Sequence, residues 1–260
     1  MSPILIDLGI IQIRWYSVLI LISFSLGYLL VSSRSRKVGI NKTFIMDLSF
    51  YLVIFCILGA RLYYCLFNMD YYSKNIIGVI KIWEGGLAIH GGIIAGILTI
   101  YIFSKRKEVS LLKLLDIFAP ALALGQAIGR WGNFFNREAF GPITSLLNLQ
   151  KIGVPQFIID GMYIDGSYHH PTFLYESIGC LLIFIIIILI RNIKNIKTGQ
   201  ITSIYFILYG LIRFFIESLR QDSLMLFNFR VAQIISILMI IIGIILFIKP
   251  YIVKQAKNNS

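Results

Sequence analysis

The chain has 260 residues, 58% of them hydrophobic and 14% charged, with a mean hydropathy of +0.82 and a formal net charge of +12. So few charges cannot cover a soluble domain of this length, and so many apolar residues exclude a disordered chain. Apolar runs of about 18 residues or more instead identify a polytopic membrane protein.

The N-terminal stretch carries Asp7 and no basic n-region, so it reads as part of the protein rather than as a cleaved leader. Seven transmembrane helices are predicted from there on, over 16–31, 43–67, 87–103, 111–129, 172–190, 201–219 and 229–248. Their connections differ sharply in charge. One set holds Arg34, Arg36, Lys37 and Lys42, then Lys105, Arg106, Lys107 and Lys113, then Arg191, Lys194 and Lys197, then Lys249, Lys254 and Lys257, against a single acid, Glu108. Loops rich in Lys and Arg stay in the cytoplasm. The expected fold is therefore an all-α polytopic membrane protein with its N-terminus outside and its C-terminus cytoplasmic. It forms a single integral membrane domain over 1–260. The basic clusters orient the chain and meet anionic lipid; they do not read as a nucleic-acid surface.

The other connections are more than linkers. Segment 68–86 and the extracytoplasmic loop region 130–171 are long and rich in Gly, Pro, Asn, Asp and aromatics. Within the second, 154–168 alternates loosely between apolar and polar residues and could hold a hairpin or surface helices. No internal repeat is visible, which disfavours an inverted-repeat transporter.

Given this topology, polar residues of several spans fall at one depth in the outer half: Tyr16, Arg61, His90, Arg130, Tyr175, Glu176, Arg213, Glu217 and Arg220. An ion in hydrocarbon costs roughly 2.5–3.5 kcal/mol on insertion scales, so each needs a partner or a function. Arg213, Glu217 and Arg220 are spaced to share one helical face, where Glu217 can pair with one or both arginines. Arg61 and Arg130 then leave guanidinium in excess of carboxylate. The missing partner is an anion, and the guanidinium fork suits phosphate, including that of a lipid headgroup. Asp47 and Asp116 lie near inner helix ends and read as caps or lysine partners. Gly92-x-x-x-Gly96 and Gly125-x-x-x-Gly129 suit close helix contact, and the glycines beside His90 also leave room for a substrate. Cys56, Cys65 and Cys180 read as buried, unpaired thiols; no metal-ligand spacing is present.

Five stretches carry a resemblance. "GRWGNFFNREAFG" resembles the signature of the prolipoprotein diacylglyceryl transferase family. "IRWYSVLI", "GGLAIHGGIIAG", "HPTFLYES" and "YGLIRFFIESLRQDS" resemble its other blocks, in the same order and over nearly the whole chain. The resemblance implies a bacterial cytoplasmic-membrane enzyme with its active site toward the extracytoplasmic side. Such an enzyme moves diacylglyceryl from phosphatidylglycerol to the thiol of a prolipoprotein's lipobox cysteine, with glycerol phosphate leaving. It needs no cofactor. It further implies that Arg130 and Arg213 hold the phosphate, and that Asn133, Asn136 and Glu138 orient the glycerol headgroup and the arginines. Tyr16 would hydrogen-bond near the headgroup, Gly141, counted among the substrate-binding residues, would permit a tight turn after the motif, and Glu217 would position Arg213 or Arg220. His90 and Glu138 are rival bases, between which the sequence does not choose. Arg137 and Ser17 depart from the family pattern, which favours a small or neutral residue and a glycine there.

Three other functions use parts of the same pattern. A transporter or flippase for an anionic solute or lipid needs a path through inner helix halves that are apolar apart from Asp47 and Asp116. A lipid-binding scaffold would bind phosphatidylglycerol without forming a product. An intramembrane protease lacks its GxSG, HExxH or paired aspartates.

Overall fold

The computed structural model describes residues 2–9 and 12–258. A short antiparallel pair, β1 (Ile4–Asp7) and β2 (Gln12–Arg14), leads into helix α1 (Trp15–Lys37). Then follow α2 (Lys42–Leu66), the single turn α3 (Met69–Tyr72), two 3-10 turns over Ile76–Ile80 and Ile82–Glu84, and α4 (Ile89–Arg106). Next come α5 (Leu111–Asn136), β3 (Ile143–Thr144), α6 (Leu146–Lys151), α7 (Gln156–Gly161), β4 (Tyr163–Ile164) and β5 (Ser167–His169). The chain ends with α8 (Thr172–Ile190), α9 (Gln200–Leu219), the pair β6 (Met225–Leu226) and β7 (Phe229–Arg230), and α10 (Val231–Asn258).

Among the described residues, six helices are long and apolar enough to cross a membrane: α1, α2, α5, α8, α9 and Val231–Pro250 of α10. The seventh predicted span is a helix too. It is α4, displaced to Ile89–Arg106, and its 18 residues include His90 at one end and Lys105 and Arg106 at the other, which dilute its apolar content. Segment 154–168 holds both of the forms expected for it, the surface helix α7 and the hairpin β4-β5, whereas the other strands are additions to an all-helical expectation. They are too short to show as alternating runs; in the hairpin, Asp165-Gly166 joins β4 to β5 as a two-residue turn with φ of 48° and 81°, the conformation for which Asp-Gly is suited.

The chain divides into two compact units, residues 31–114 and residues 1–30 with 115–260. In the first, α2 and α4 pack closely because small residues face each other. A side chain on Gly59 would run into Gly91 and Ala95, one on Gly91 into Gly59 and Tyr63, and one on Gly96 into Cys56. Gly96 thus keeps the contact role its spacing predicts. Arg61, 4% exposed, does not wait for an anion. Its guanidinium donates to the carbonyls of Gly78 (2.6 Å), Val79 (2.9 Å), Lys81 (3.3 Å), Gly85 (2.5 Å) and Gly86 (3.0 Å), so it ties down the loop between α3 and α4.

In the second unit, α9 lies along both α8 and α10. Asp116 caps α9 from outside: it accepts from Gly199 N (2.6 Å), Thr202 N (2.8 Å) and the Thr202 hydroxyl (2.7 Å), placing an anion at the positive end of the helix. A small lobe built on α6, α7 and the sheet β3-β5-β4 stands between α5 and α8. Its core joins Leu149, Val154, Ile158, Ile159, Met162 and Ile164 to Phe134 of α5 and Phe173 of α8.

Candidate active site

The helix α5 ends at Asn136, not at Gly129, so the first residues of the expected loop are helical. This turns "GRWGNFFN" into a surface with two faces. Trp131 and Phe134 point into the lobe, with ring centroids 5.4 Å and 4.7 Å from Phe173. Phe135 stacks on Trp15 at 4.6 Å. Gly132 leaves the gap that the Tyr16 ring fills, since a Cβ there would overlap the ring. Arg130 and Asn133 are left on another face, one turn apart.

That face meets α8 and α9 at one buried carboxylate. Glu176, 2% exposed, accepts from Arg130 Nη2 at 2.6 Å on one oxygen and from Arg213 Nη1 at 2.9 Å on the other. Tyr209 donates to it as well, at 3.3 Å. Arg213 Nη2 also lies 2.6 Å from Glu217, a contact of charge against charge rather than a directed hydrogen bond. The spacing explains the convergence. Tyr205, Tyr209, Arg213 and Glu217 follow at intervals of four along α9 and form one ridge. Phe173, Glu176, Ser177, Cys180, Ile183 and Ile187 form the buried stripe of α8. Ser177 pins that stripe to α5 by donating to Ala127 O at 2.7 Å, and the Tyr205 hydroxyl reaches Gln126 at 3.0 Å.

Toward the end of α5 the network continues. Arg130 Nη1 donates to Asn133 Oδ1 (3.3 Å), and Asn133 Nδ2 donates to Glu138 (2.8 Å), which also accepts from Asn136 (3.3 Å). The acceptor on one side and the donor on the other fix which way the Asn133 amide points. Glu138 itself is exposed.

The predicted site residues are thus partly gathered. Arg130, Asn133, Asn136, Glu138, Arg213 and Glu217 belong to one connected set. Tyr16 touches its margin through Gly132. Arg220 does not join Glu217: its guanidinium makes two bonds of 3.0 Å with Asp222 beyond the end of α9. Burial would raise the Asp222 carboxyl, but the Arg220 hydrogen bond and charge outweigh it and hold it below its ordinary range. Gly141 does not make the turn after α5, because the left-handed residues there are Arg137 (φ 52°) and Ala139 (φ 58°). It serves close approach instead: it donates to His170 O at 2.9 Å, and a Cβ would press on His170 and Thr172. Of the two other histidines, His169 Nδ1 donates to Gly141 O at 2.9 Å, and His170 Nδ1 lies 3.0 Å from the Tyr175 hydroxyl. Both therefore hold local structure. His90 stands in the other unit, second residue of α4, its ring 6.1 Å from that of Tyr63. Cys65 and Cys180 are buried thiols, while Cys56 is only half-buried.

The expected excess of guanidinium is absent from this set. Arg130 and Arg213 directly face two carboxylates, Glu176 and Glu217, a third, Glu138, joins through Asn133, and Arg61 is satisfied by carbonyls elsewhere. Glu176 is among the polar residues of the spans but has no role in the site on sequence alone; its contacts with both arginines are what assign one. A guanidinium has five N–H donors, and the bonds described engage only part of each fork. Arg130 and Arg213 keep 21% and 14% of their side-chain surface exposed, so an arriving anion can meet both. Donors held in place on a largely dry wall stabilise negative charge without reorganising.

A family model described as prolipoprotein diacylglyceryl transferase matches residues 3–249. Among curated relatives, the phosphatidylglycerol–prolipoprotein diacylglyceryl transferase of Clostridium novyi is 47% identical over 260 residues, covering 100% of this chain and 98% of that protein. The enzyme of the same name from Staphylococcus xylosus is 44% identical over 260 residues, covering 100% and 91%. That from Listeria innocua is 44% identical over 244 residues, covering 94% and 88%.

Proposed function

Because the chain belongs to the prolipoprotein diacylglyceryl transferase family, we propose that it transfers diacylglyceryl from phosphatidylglycerol to the lipobox cysteine thiol of a prolipoprotein. This is the first step of lipoprotein maturation. The sulfur, deprotonated, attacks an sp³ carbon of the glycerol backbone. A C–S bond forms, the C–O bond to phosphate breaks, and the electron pair leaves on the phosphate oxygen of glycerol phosphate. No carbonyl oxyanion develops, so the charge to be stabilised is that of the departing phosphate. The thiol, with an ordinary pKa of about 8.5, must also give up its proton.

In this reading Arg130 and Arg213 clamp the phosphate with the edges of their forks that Glu176 and Glu217 leave open. Asn133 steadies Arg130, and Asn136 and Glu138 face the glycerol headgroup. Tyr16, Gly141 and Arg220 border the same substrate. His90 or Glu138 takes the thiol proton. The enzyme lies in the bacterial cytoplasmic membrane with seven spans, α4 included, its N-terminus and this site on the extracytoplasmic side. The observation that carries the reading is the meeting of two guanidiniums from α5 and α9 on one buried carboxylate.

The test is to incubate the purified protein with phosphatidylglycerol and a lipobox peptide and to weigh the products. The peptide gains a diacylglyceryl group with the wild type. Arg130→Ala and Arg213→Ala each lose at least about a hundredfold in turnover, the scale of one lost transition-state donor, while still inserting in membranes. Near-normal turnover by either variant removes the clamp. Binding of phosphatidylglycerol with no thioether product favours a scaffold instead.

A further inference from the structure

The unassigned group in this cluster is Glu176. It lies 2.6 Å from Arg130 and 2.9 Å from Arg213, is 2% exposed, and is the one carboxylate that touches both arginines among the described residues. A buried ion held from three sides, with Tyr209 as the third, is costly to desolvate, so its presence calls for a reason beyond joining helices. An uncharged side chain in its place would leave two largely buried guanidiniums short of a countercharge.

We propose that Glu176 is a positioning residue that keeps the arginine clamp electrically neutral, so that the clamp binds the singly charged phosphodiester of the substrate without trapping the more highly charged phosphate product. This rests on the transfer reaction proposed above. The charge change follows from its balance. Phosphatidylglycerol brings one negative charge on its phosphodiester and the thiolate brings another. After transfer the sulfur is a neutral thioether, and both charges reside on glycerol phosphate. A phosphate monoester has a second pKa of about 6, so near pH 7 it carries about −1.5 to −2. A clamp of net positive charge attracts that product more than it attracts the substrate, and the attraction is strongest where water is excluded. With Glu176 and Glu217 in direct contact with Arg130 and Arg213, these four groups sum to zero before the lipid arrives, and the exposed Glu138, reached only through Asn133, adds no positive charge. The arginines still supply directed N–H donors in the transition state. The carboxylates remove the surplus Coulomb attraction that would outlast it.

The experiment measures inhibition by added glycerol phosphate, with phosphatidylglycerol and a lipobox peptide as substrates. Glu176→Gln keeps the shape and one acceptor while removing the charge. Glycerol phosphate should inhibit it at least about tenfold more strongly than it inhibits the wild type, about one unit of differential interaction. Its apparent KM for the lipid should fall together with kcat. Glu176→Asp should restore the wild-type inhibition constant. Glu217→Gln should move the same constants in the same direction, since it lifts the same charge from the other side of Arg213. A role in helix packing alone predicts a raised KM, a lowered kcat and unchanged product inhibition, and that pattern overturns the proposal. The wild type offers a test that needs no variant. For a neutral clamp, glycerol phosphate inhibition changes by less than about threefold from pH 5 to pH 7.5, as its second charge appears; strengthening by about tenfold or more overturns the proposal. Failure of the wild type to lipidate the peptide would instead sink the transferase reading itself, so the two failures are distinct.

Discussion

At the scale of the residue, the turn that closes α5 is made by an arginine where glycine is the easier choice. Glu138 N donates to Asn133 O at 3.0 Å and Arg137 N to Phe134 O at 3.2 Å, the bond pair of a helix end with its first outside residue left-handed. Arg137 holds φ at 52°, which costs an L residue roughly 1–2 kcal/mol. Arg137→Gly relieves that strain and returns part of the gain as unfolded-state entropy, leaving a net stabilisation of up to about 1 kcal/mol. The thermal midpoint in detergent should therefore rise, and a lower midpoint would contradict this account of the turn. The sequence pointed to Gly141 for this bend because glycine is the usual marker of positive φ. A close backbone contact uses glycine just as well, and only the fold tells the two apart.

At the scale of the element, each long helix was legible from its apolar run, although charge and proline did not end every one of them: α1 continues to Lys37 and α10 passes through Pro250. The predicted span at 172–190 coincides with α8, and that at 201–219 begins one residue inside α9. The end of α5 was not legible. Gly129 followed by a polar cluster reads as a cap and a loop, yet the rings of Trp131, Phe134 and Phe135 find partners that carry the helix on to Asn136. The polar residues of the site therefore stand on a rigid element. Asp116 shows the converse. A cap was one of the two roles its position suggested, a lysine partner the other, but its target, the start of α9, is far off in sequence and emerges only from packing. Asp116→Ala strips three bonds from that terminus. The expected cost is about 1–2 kcal/mol, the upper part of the usual range for a lost cap. It should appear as a lower thermal midpoint, with the turnover of the folded protein retained because α9 carries Arg213 several turns away. An unchanged midpoint would mean that Gly199 and Thr202 find water or other partners at no loss.

At the scale of the whole molecule, parity decides whether α4 crosses the bilayer. Its length is marginal, and it alone of the seven predicted spans is not among the six helices that are plainly long and apolar enough. If α4 did not cross, Lys105, Arg106 and Lys107 would sit on the opposite side from Arg34, Arg36 and Lys37, and Arg191, Lys194 and Lys197 would follow them there. The charge asymmetry that orients membrane proteins would cancel along this chain. With α4 as a span, all these clusters would share one side, and the basic ends of α1 and α4 would be placed to meet anionic lipid there. The close glycine contact of α4 with α2 suits a helix surrounded by lipid, where small residues rather than apolar burial drive association. Seven crossings put the two termini on opposite faces, and six put them on the same face. A cysteine introduced at Ser2, in a chain whose Cys56, Cys65 and Cys180 are replaced by serine or alanine, should react with a membrane-impermeant thiol reagent on intact cells. One introduced at Asn259 should react only after the cells are opened. Labelling of both on intact cells, or of neither, would mean an even number of crossings and would break the assignment of the basic loops to a single side.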